Sequence, residues 1–186
     1  MRTISKSFLR TIPFVGLLVG LSMQGSCSNE SKGKLATVEQ VDLHRYTGTW
    51  YEISRYPNRF EKSCASNVTA NYTLRRDGKI EVVNSCQENG GKVKASRGTA
   101  KVKDPHTNAR LAVTFFWPFY GDYWIIDLDK DYRYAVVGEP SRKYLWILSR
   151  TPALDDETYA RIIQKIESLG YDTAKLIKTP QSTIEK

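Results

Sequence analysis

Residues 75–105 read RRDGKIEVVNSCQENGGKVKASRGTAKVKDP, and this stretch decides the fold class. Three turn signals, Asp77-Gly78, Asn89-Gly90-Gly91 and Asp104-Pro105, bracket two runs that carry β-branched residues and no helical period. Reading outward with the same rule predicts strands at 48–56, 68–75, 79–86, 92–103, 110–116, 123–129, 134–138 and 144–149. Pro118 with Gly121, and Glu139-Pro140, supply further breaks. Eight short strands at such spacing, with no helix between them, point to an all-β sandwich or barrel rather than a βαβ sheet. Eight is also the number at which a closed barrel can hold one small ligand, and closure removes exposed edges.

One segment departs from the pattern. After Thr151-Pro152, the acids Asp155, Asp156 and Glu157 precede Tyr159, Ile162, Ile163, Ile166 and Leu169, which share one helical face before Gly170. The early acids suit the positive end of a helix dipole. The expectation is an amphipathic helix over an apolar surface, then a stretch at 173–178 that pairs as an extra strand. Alternation gives Leu111, Val113 and Phe115 one face, and Tyr144, Trp146 and Leu148 another. Periodicity alone leaves packed core and cavity wall both open.

The chain has 186 residues, 40% hydrophobic and 26% charged, which suits one globular domain. Arg2, Lys6 and Arg10 precede the apolar run Ile12 to Leu21, and small residues Gly25 and Ser26 lead to Cys27. That is the layout of a secretory signal peptide, expected over residues 1–26. Removing its three cations and no anions takes the net charge from +8 to +5. The remaining Lys and Arg form no basic stripe, so no nucleic acid is expected as a partner. Cys27 stands where bacterial lipoproteins carry their acylated cysteine, leaving Cys64 and Cys86 as an even pair. The organisation expected is a signal peptide, an anchor and linker at 27–40, a barrel domain at 41–178 and a tail at 179–186. Palmitate-type lipidation at Cys27 would place the protein at the cell envelope as an outer-membrane lipoprotein facing the periplasm. A secreted soluble form is the alternative.

Three separated motifs then line up. Gly48-Thr49-Trp50-Tyr51 opens the first strand, Asp131-Tyr132-Arg133-Tyr134 lies between the sixth and seventh, and Arg150 ends the eighth in Trp146–Pro152. In order and position this set resembles the lipocalin family, whose first motif is G-x-W and whose second is usually T-D-Y, with Lys130 here in place of Thr. The stretches Gly48–Ile53, Phe115–Gly121 and Leu145–Pro152 are most similar to the bacterial outer-membrane lipoprotein lipocalins, an apolipoprotein D-like group. The resemblance spans Val41 to about Ile177.

The resemblance implies an eight-stranded antiparallel up-and-down β-barrel with one C-terminal α-helix packed outside. Trp50 would plug the closed end with the Arg150 guanidinium across its ring, a structural pair worth on the order of 2 kcal/mol. On the same topology Cys64 and Cys86 meet near the open mouth and form a disulfide. Strand parity then directs Ser54, Tyr56, Asn84, Val113, Phe115, Tyr123, Ile125, Tyr134, Val136, Arg142, Tyr144 and Trp146 inward as the ligand-binding wall. A fatty acid, lysophospholipid or similar amphiphile would bury its chain there, with Arg142, Tyr144 or Tyr56 meeting the head group. Arg142 as a solvated loop charge is the bland alternative.

The aromatic loop Phe116–Tyr120 would lie at the mouth, as a lid or as a membrane or homodimer contact. No catalytic residue, metal site or cofactor is expected, since His44 and His106 lack a nucleophile or ligand partner at useful spacing. A lipid-transforming enzyme and a structural envelope protein with a filled barrel are the rival readings.

Overall fold

A computed structural model describes residues 33–182; the expected signal peptide and Cys27 lie outside them. Eight strands run up and down: β1 Gly48–Arg55, β2 Cys64–Leu74, β3 Ile80–Glu88, β4 Val93–Val102, β5 Arg110–Phe116, β6 Phe119–Leu128, β7 Tyr134–Gly138 and β8 Leu145–Ser149. Each is antiparallel to the next, and β1 pairs with both β2 and β8, which closes the barrel. A two-residue strand β9, Ile177–Lys178, adds to β1 beside Ser54 and Arg55. The expected architecture is therefore present, with β2 starting four residues and β6 four residues earlier than the sequence pattern indicates.

A short helix α1, Leu43–Tyr46, precedes the barrel and was not anticipated. Asp42 caps it, accepting from the backbone N–H groups of His44 and Arg45. The anticipated amphipathic helix is α2, Asp156–Ser168, capped by Asp155, which accepts from the Thr158 N–H. Its buried face, Ile162 and Ile166, packs outside the barrel with Ile126, Val136, Leu145 and Ile147. A separate cluster fills the barrel itself, including Trp50, Tyr72, Val82, Leu111, Ile125 and Val137. Both clusters bury aliphatic side chains almost fully, at about 1.5–3 kcal/mol each.

The closed end is built around Trp50, which is fully buried. The Arg150 guanidinium sits 3.8 Å from the ring centroid and donates to the carbonyls of Thr49 (2.9 Å) and Arg45 (2.7 Å). Trp50 Nε1 donates to the Tyr46 carbonyl at 2.9 Å. Gly48 holds a left-handed φ of +91° at this crossing, a backbone conformation in which a side chain would be strained. The segment Asp131-Tyr132-Arg133 closes against the same corner. The Tyr132 hydroxyl accepts from the Asp42 N–H at 2.8 Å, and Arg45 lies 4.2 Å over the Tyr132 ring.

The turn at 129–133 depends on one carboxylate. Asp129 accepts from the Asp131 and Arg133 backbone N–H groups and from the Arg133 guanidinium at 2.9 and 3.0 Å. These donors, the Arg133 side chain first, hold its pKa down to about 2.

Two outcomes are expected. Arg150→Ala lowers stability by about 2 kcal/mol in chemical denaturation, and Arg150→Lys, lacking the planar fork, recovers only part of it. Asp129 has a folded pKa below its unfolded value of about 3.9, so its contribution is present above that value and is lost as pH falls toward 2. Because Arg133 is largely exposed, the loss is about 1 kcal/mol, read as the shrinking difference between wild type and Asp129→Asn.

Candidate functional site

One irregularity and one regular pairing decide which residues face the interior. In β1 the register to β8 shifts at Ile53: Glu52 lies opposite Leu148, but Ser54 lies opposite Ile147 and Arg55 opposite Trp146. A bulge of this kind inverts parity beyond it. Ser54 and Tyr56, expected inside, therefore face outward. The Ser54 hydroxyl shares a 3.0 Å hydrogen bond with Tyr159 of α2, and the Tyr56 hydroxyl donates to the Asp172 carbonyl at 2.7 Å. Arg55 takes the inward position instead.

β7 takes its parity from β8, to which it pairs without a shift, Ala135 opposite Leu148 and Val137 opposite Trp146. Ala135 and Val137 join the barrel interior, whereas Tyr134 and Val136 pack beneath α2. The expected inward placement of Tyr134 and Val136 is thus reversed; the interior takes the smaller Ala135 there. Arg142 is also outside. It adopts φ +57°, donates to Leu169 and Gly33 carbonyls at 2.7 and 2.8 Å, and ties the N-terminal segment to the end of α2. Leu35 is buried in that layer and the Val38 N–H bonds to the Ile125 carbonyl, so the described part of the expected 27–40 linker is fastened to the barrel at these two points.

The remaining wall residues do share the interior. Tyr123, Ile125, Val113 and Trp146 belong to the barrel cluster. Tyr144 stacks on Trp146 at 5.9 Å. Asn84 pairs in register with Ala70 of the interior cluster, and its Oδ1 is buried with no hydrogen-bond partner. Phe115 lies over Gly98, where an added Cβ would fall 2.8 Å from the ring and 2.6 Å from the Thr114 carbonyl. Glycine at 98 is what lets this ring lie across the inner wall.

The interior has two halves. The floor is solid: Tyr46, Trp50, Leu111, Ile125 and Val137 are all at most 2% exposed. Within it the Tyr123 hydroxyl bridges those of Tyr46 (2.8 Å) and Tyr72 (3.0 Å). Burial raises all three phenols, Tyr72 to about 12, so they stay neutral donors and acceptors. Toward the mouth, Trp146, Tyr144, Val113 and Phe115 keep accessible surface although they face inward.

This upper part of the interior carries a charged cluster that strand parity did not reveal. Arg55 Nε lies 3.1 Å from Glu52 and 2.8 Å from Glu61, and Trp146 Nε1 donates to Glu61 at 2.9 Å. Arg55 Nε is within ion-pair reach of Glu61 Oε2 yet out of line for a hydrogen bond. Glu52 is 2% exposed; burial, then the neighbouring Glu61, pushes its pKa well above the usual carboxylate range. The signal for Glu52 was in the sequence, because it shares the parity of Trp50. Arg55 was hidden by the bulge.

The chain after β9 seals the wall where β1 and β2 separate beyond Tyr51 and Thr69. The Thr179 hydroxyl donates to Glu52, and Gln181 Nε2 bridges the carbonyls of Glu52 and Val68, each at 2.8 Å. Above, Cys64 and Cys86 form the expected disulfide, with Cα atoms 5.6 Å apart. A separate cleft of about 580 Å³ lies outside the barrel, among Val41, His44, Leu74 and Tyr132, and shares no lining with the upper inner wall.

Comparison with known proteins agrees with this geometry. The chain matches the Lipocalin-like domain family over residues 41–181. It is a lipocalin. It is 42% identical to temperature-induced lipocalin-1 of Arabidopsis thaliana over 159 residues, covering 81% of this chain and 85% of that protein. Outer membrane lipoprotein Blc of Escherichia coli K12 is 40% identical over 175 residues, 93% of this lipocalin and 98% of its relative. Mouse apolipoprotein D is 33% identical, covering 91% and 94%. Among solved structures, insecticyanin from the tobacco hornworm superposes with a TM-score of 0.65 at 22% identity, over 80% of this chain and 85% of that one. That likeness shows the fold.

The disulfide closes a separation of 22 residues at the mouth. Replacing both cysteines by alanine is expected to lower stability by about 3 kcal/mol, measured by denaturant midpoint under non-reducing conditions.

Proposed function

We propose that this lipocalin binds and carries an amphiphile with a long acyl chain, a fatty acid or a lysophospholipid, in the upper half of its barrel. The observation that carries the reading is the upper inner wall: inward aromatic and aliphatic side chains with accessible surface, next to one guanidinium. An apolar lining with few placed polar groups is the composition of a small-molecule site. An acyl chain against Val113, Phe115, Tyr144 and Trp146 would gain about 0.8 kcal/mol per buried methylene. The solid floor limits its depth, so the chain lies above Tyr123 and Ile125 rather than reaching the bottom. Asn84 adds a polar group to the wall.

Arg55 takes the head-group role in place of Arg142. Its Nε is engaged by Glu52 and Glu61, leaving the Nη edge for a carboxylate or phosphate.

The reading is of a binder. Cys86 is tied in the disulfide, and the upper inner wall brings no nucleophile beside a base among the described residues. The leader at 1–26, acylation of Cys27 and a site at the cell envelope belong to the same proposal. Their support is the sequence layout and the likeness to an outer membrane lipoprotein.

Delipidated protein titrated with a fluorescent long-chain fatty acid tests this. Saturable uptake is expected, weakened about ten-fold or more by Arg55→Gln and unchanged by Arg142→Gln. No uptake would instead favour a barrel with a purely structural role, and sensitivity at Arg142 alone would refute the head-group assignment.

A further inference from the structure

The connections β1–β2, β3–β4, β5–β6 and β7–β8 all lie at the open end of an up-and-down barrel, and their surface has an unusual composition. At the tip between β5 and β6, Phe116, Trp117 and Phe119 are 76%, 78% and 72% exposed. Phe60, in the β1–β2 connection, is 57% exposed, with Arg59 5.2 Å over its ring. Phe60 also meets Tyr144 of the β7–β8 connection at 5.6 Å, and Lys94 at the start of β4 donates to Ser63 at 3.0 Å.

The charges there are one-sided. Arg59, Lys62, Lys92 and Lys143 are exposed. The acids of these connections are occupied: Glu61 is turned in to Arg55 and Trp146, and Glu139 is buried under the N–H groups of Ser141 and Tyr144; at the strand ends Glu88 of β3 lies 3.7 Å from Lys94, while Asp122, further along β6, is exposed. The closed end differs, with Asp77 beside Arg75 and Lys79 and Asp129 beside Arg133.

From this juxtaposition of exposed aromatic rings and unopposed cations, we infer that the mouth of the barrel docks on an anionic lipid bilayer. Aromatic side chains favour the interface between headgroups and acyl chains, and each nearby Lys or Arg is attracted to an anionic surface. A second copy seated symmetrically on the same face would set these cations against their own images, which disfavours it. Docking in this pose is independent of any acyl group at Cys27, and it turns the upper interior toward the membrane. It stands whether or not the upper interior carries a lipid.

The exported full chain with Cys27→Ser, which has no site for an acyl anchor at that position, is the protein to test. It is mixed with vesicles of phosphatidylcholine alone, or with about one-third phosphatidylglycerol, and bound protein is separated by sedimentation. Binding is expected on the anionic vesicles, falling about five-fold for each of Lys62→Gln and Lys92→Gln. Trp117→Ser with Phe119→Ser is expected to lower it at least ten-fold, while far-ultraviolet circular dichroism and the disulfide stay intact. Equal binding to both vesicle types, or binding indifferent to these variants, overturns the inference. So does a concentration-dependent dimer that the aromatic variant abolishes while vesicles are ignored, which would give the tip to a second copy.

Discussion

The Arg150 guanidinium over the Trp50 ring, bonded to the carbonyls of Thr49 and Arg45, joins the end of the last barrel strand to the start of the first. Closing an eight-stranded sheet requires those two strands to meet, and their other contacts are ladder hydrogen bonds that slip in register at Ile53. The cation–π pair is geometrically specific where the ladder is irregular. Around it the corner is layered: Tyr46 bonds Trp50, Arg45 covers Tyr132, and Tyr132 holds the cap residue Asp42.

A closed end this dense determines where anything can bind. Trp50 and the hydroxyl-linked tyrosines occupy the lower barrel, so space accessible from outside begins above them. In the upper wall the bulge at Ile53 has a chemical consequence. It turns Ser54 out to meet α2 and brings Arg55 in beside Glu52 and Glu61. One inserted residue thus exchanges a hydroxyl for a guanidinium on the inner surface, while the C-terminal residues Thr179 and Gln181 close the gap that the diverging strands leave.

The eight strands and α2 were legible in the sequence because each rests on a local signal, whereas closure, the Trp50–Arg150 pair and the disulfide were legible through the resemblance to lipocalins, which supplies the topology. Turn residues mark strand ends, and an apolar stripe after three acids marks the helix. The wall was legible only where strands are regular: Leu148 and Trp146 on β8, Tyr123 and Ile125 on β6, and Val113 on β5 follow parity. Ser54 and Tyr56 do not, since a bulge leaves no mark in composition and reverses everything beyond it, and Tyr134 and Val136 do not because the register of β7 against β8, Ala135 opposite Leu148 and Val137 opposite Trp146, is not written in either strand alone. Arg142 was misplaced for a different reason. It lies in a turn with positive φ, where strand parity has no meaning.

The central claim is that the barrel is closed below and receives an acyl chain above, against Trp146 rather than Trp50. Fluorescence quenching by a brominated fatty acid tests this most directly. Bound ligand should quench the tryptophan emission of the wild-type protein, and Trp146→Phe should remove most of that quenching while leaving affinity near its original value. Quenching that persists undiminished in Trp146→Phe would place the chain elsewhere and contradict the account.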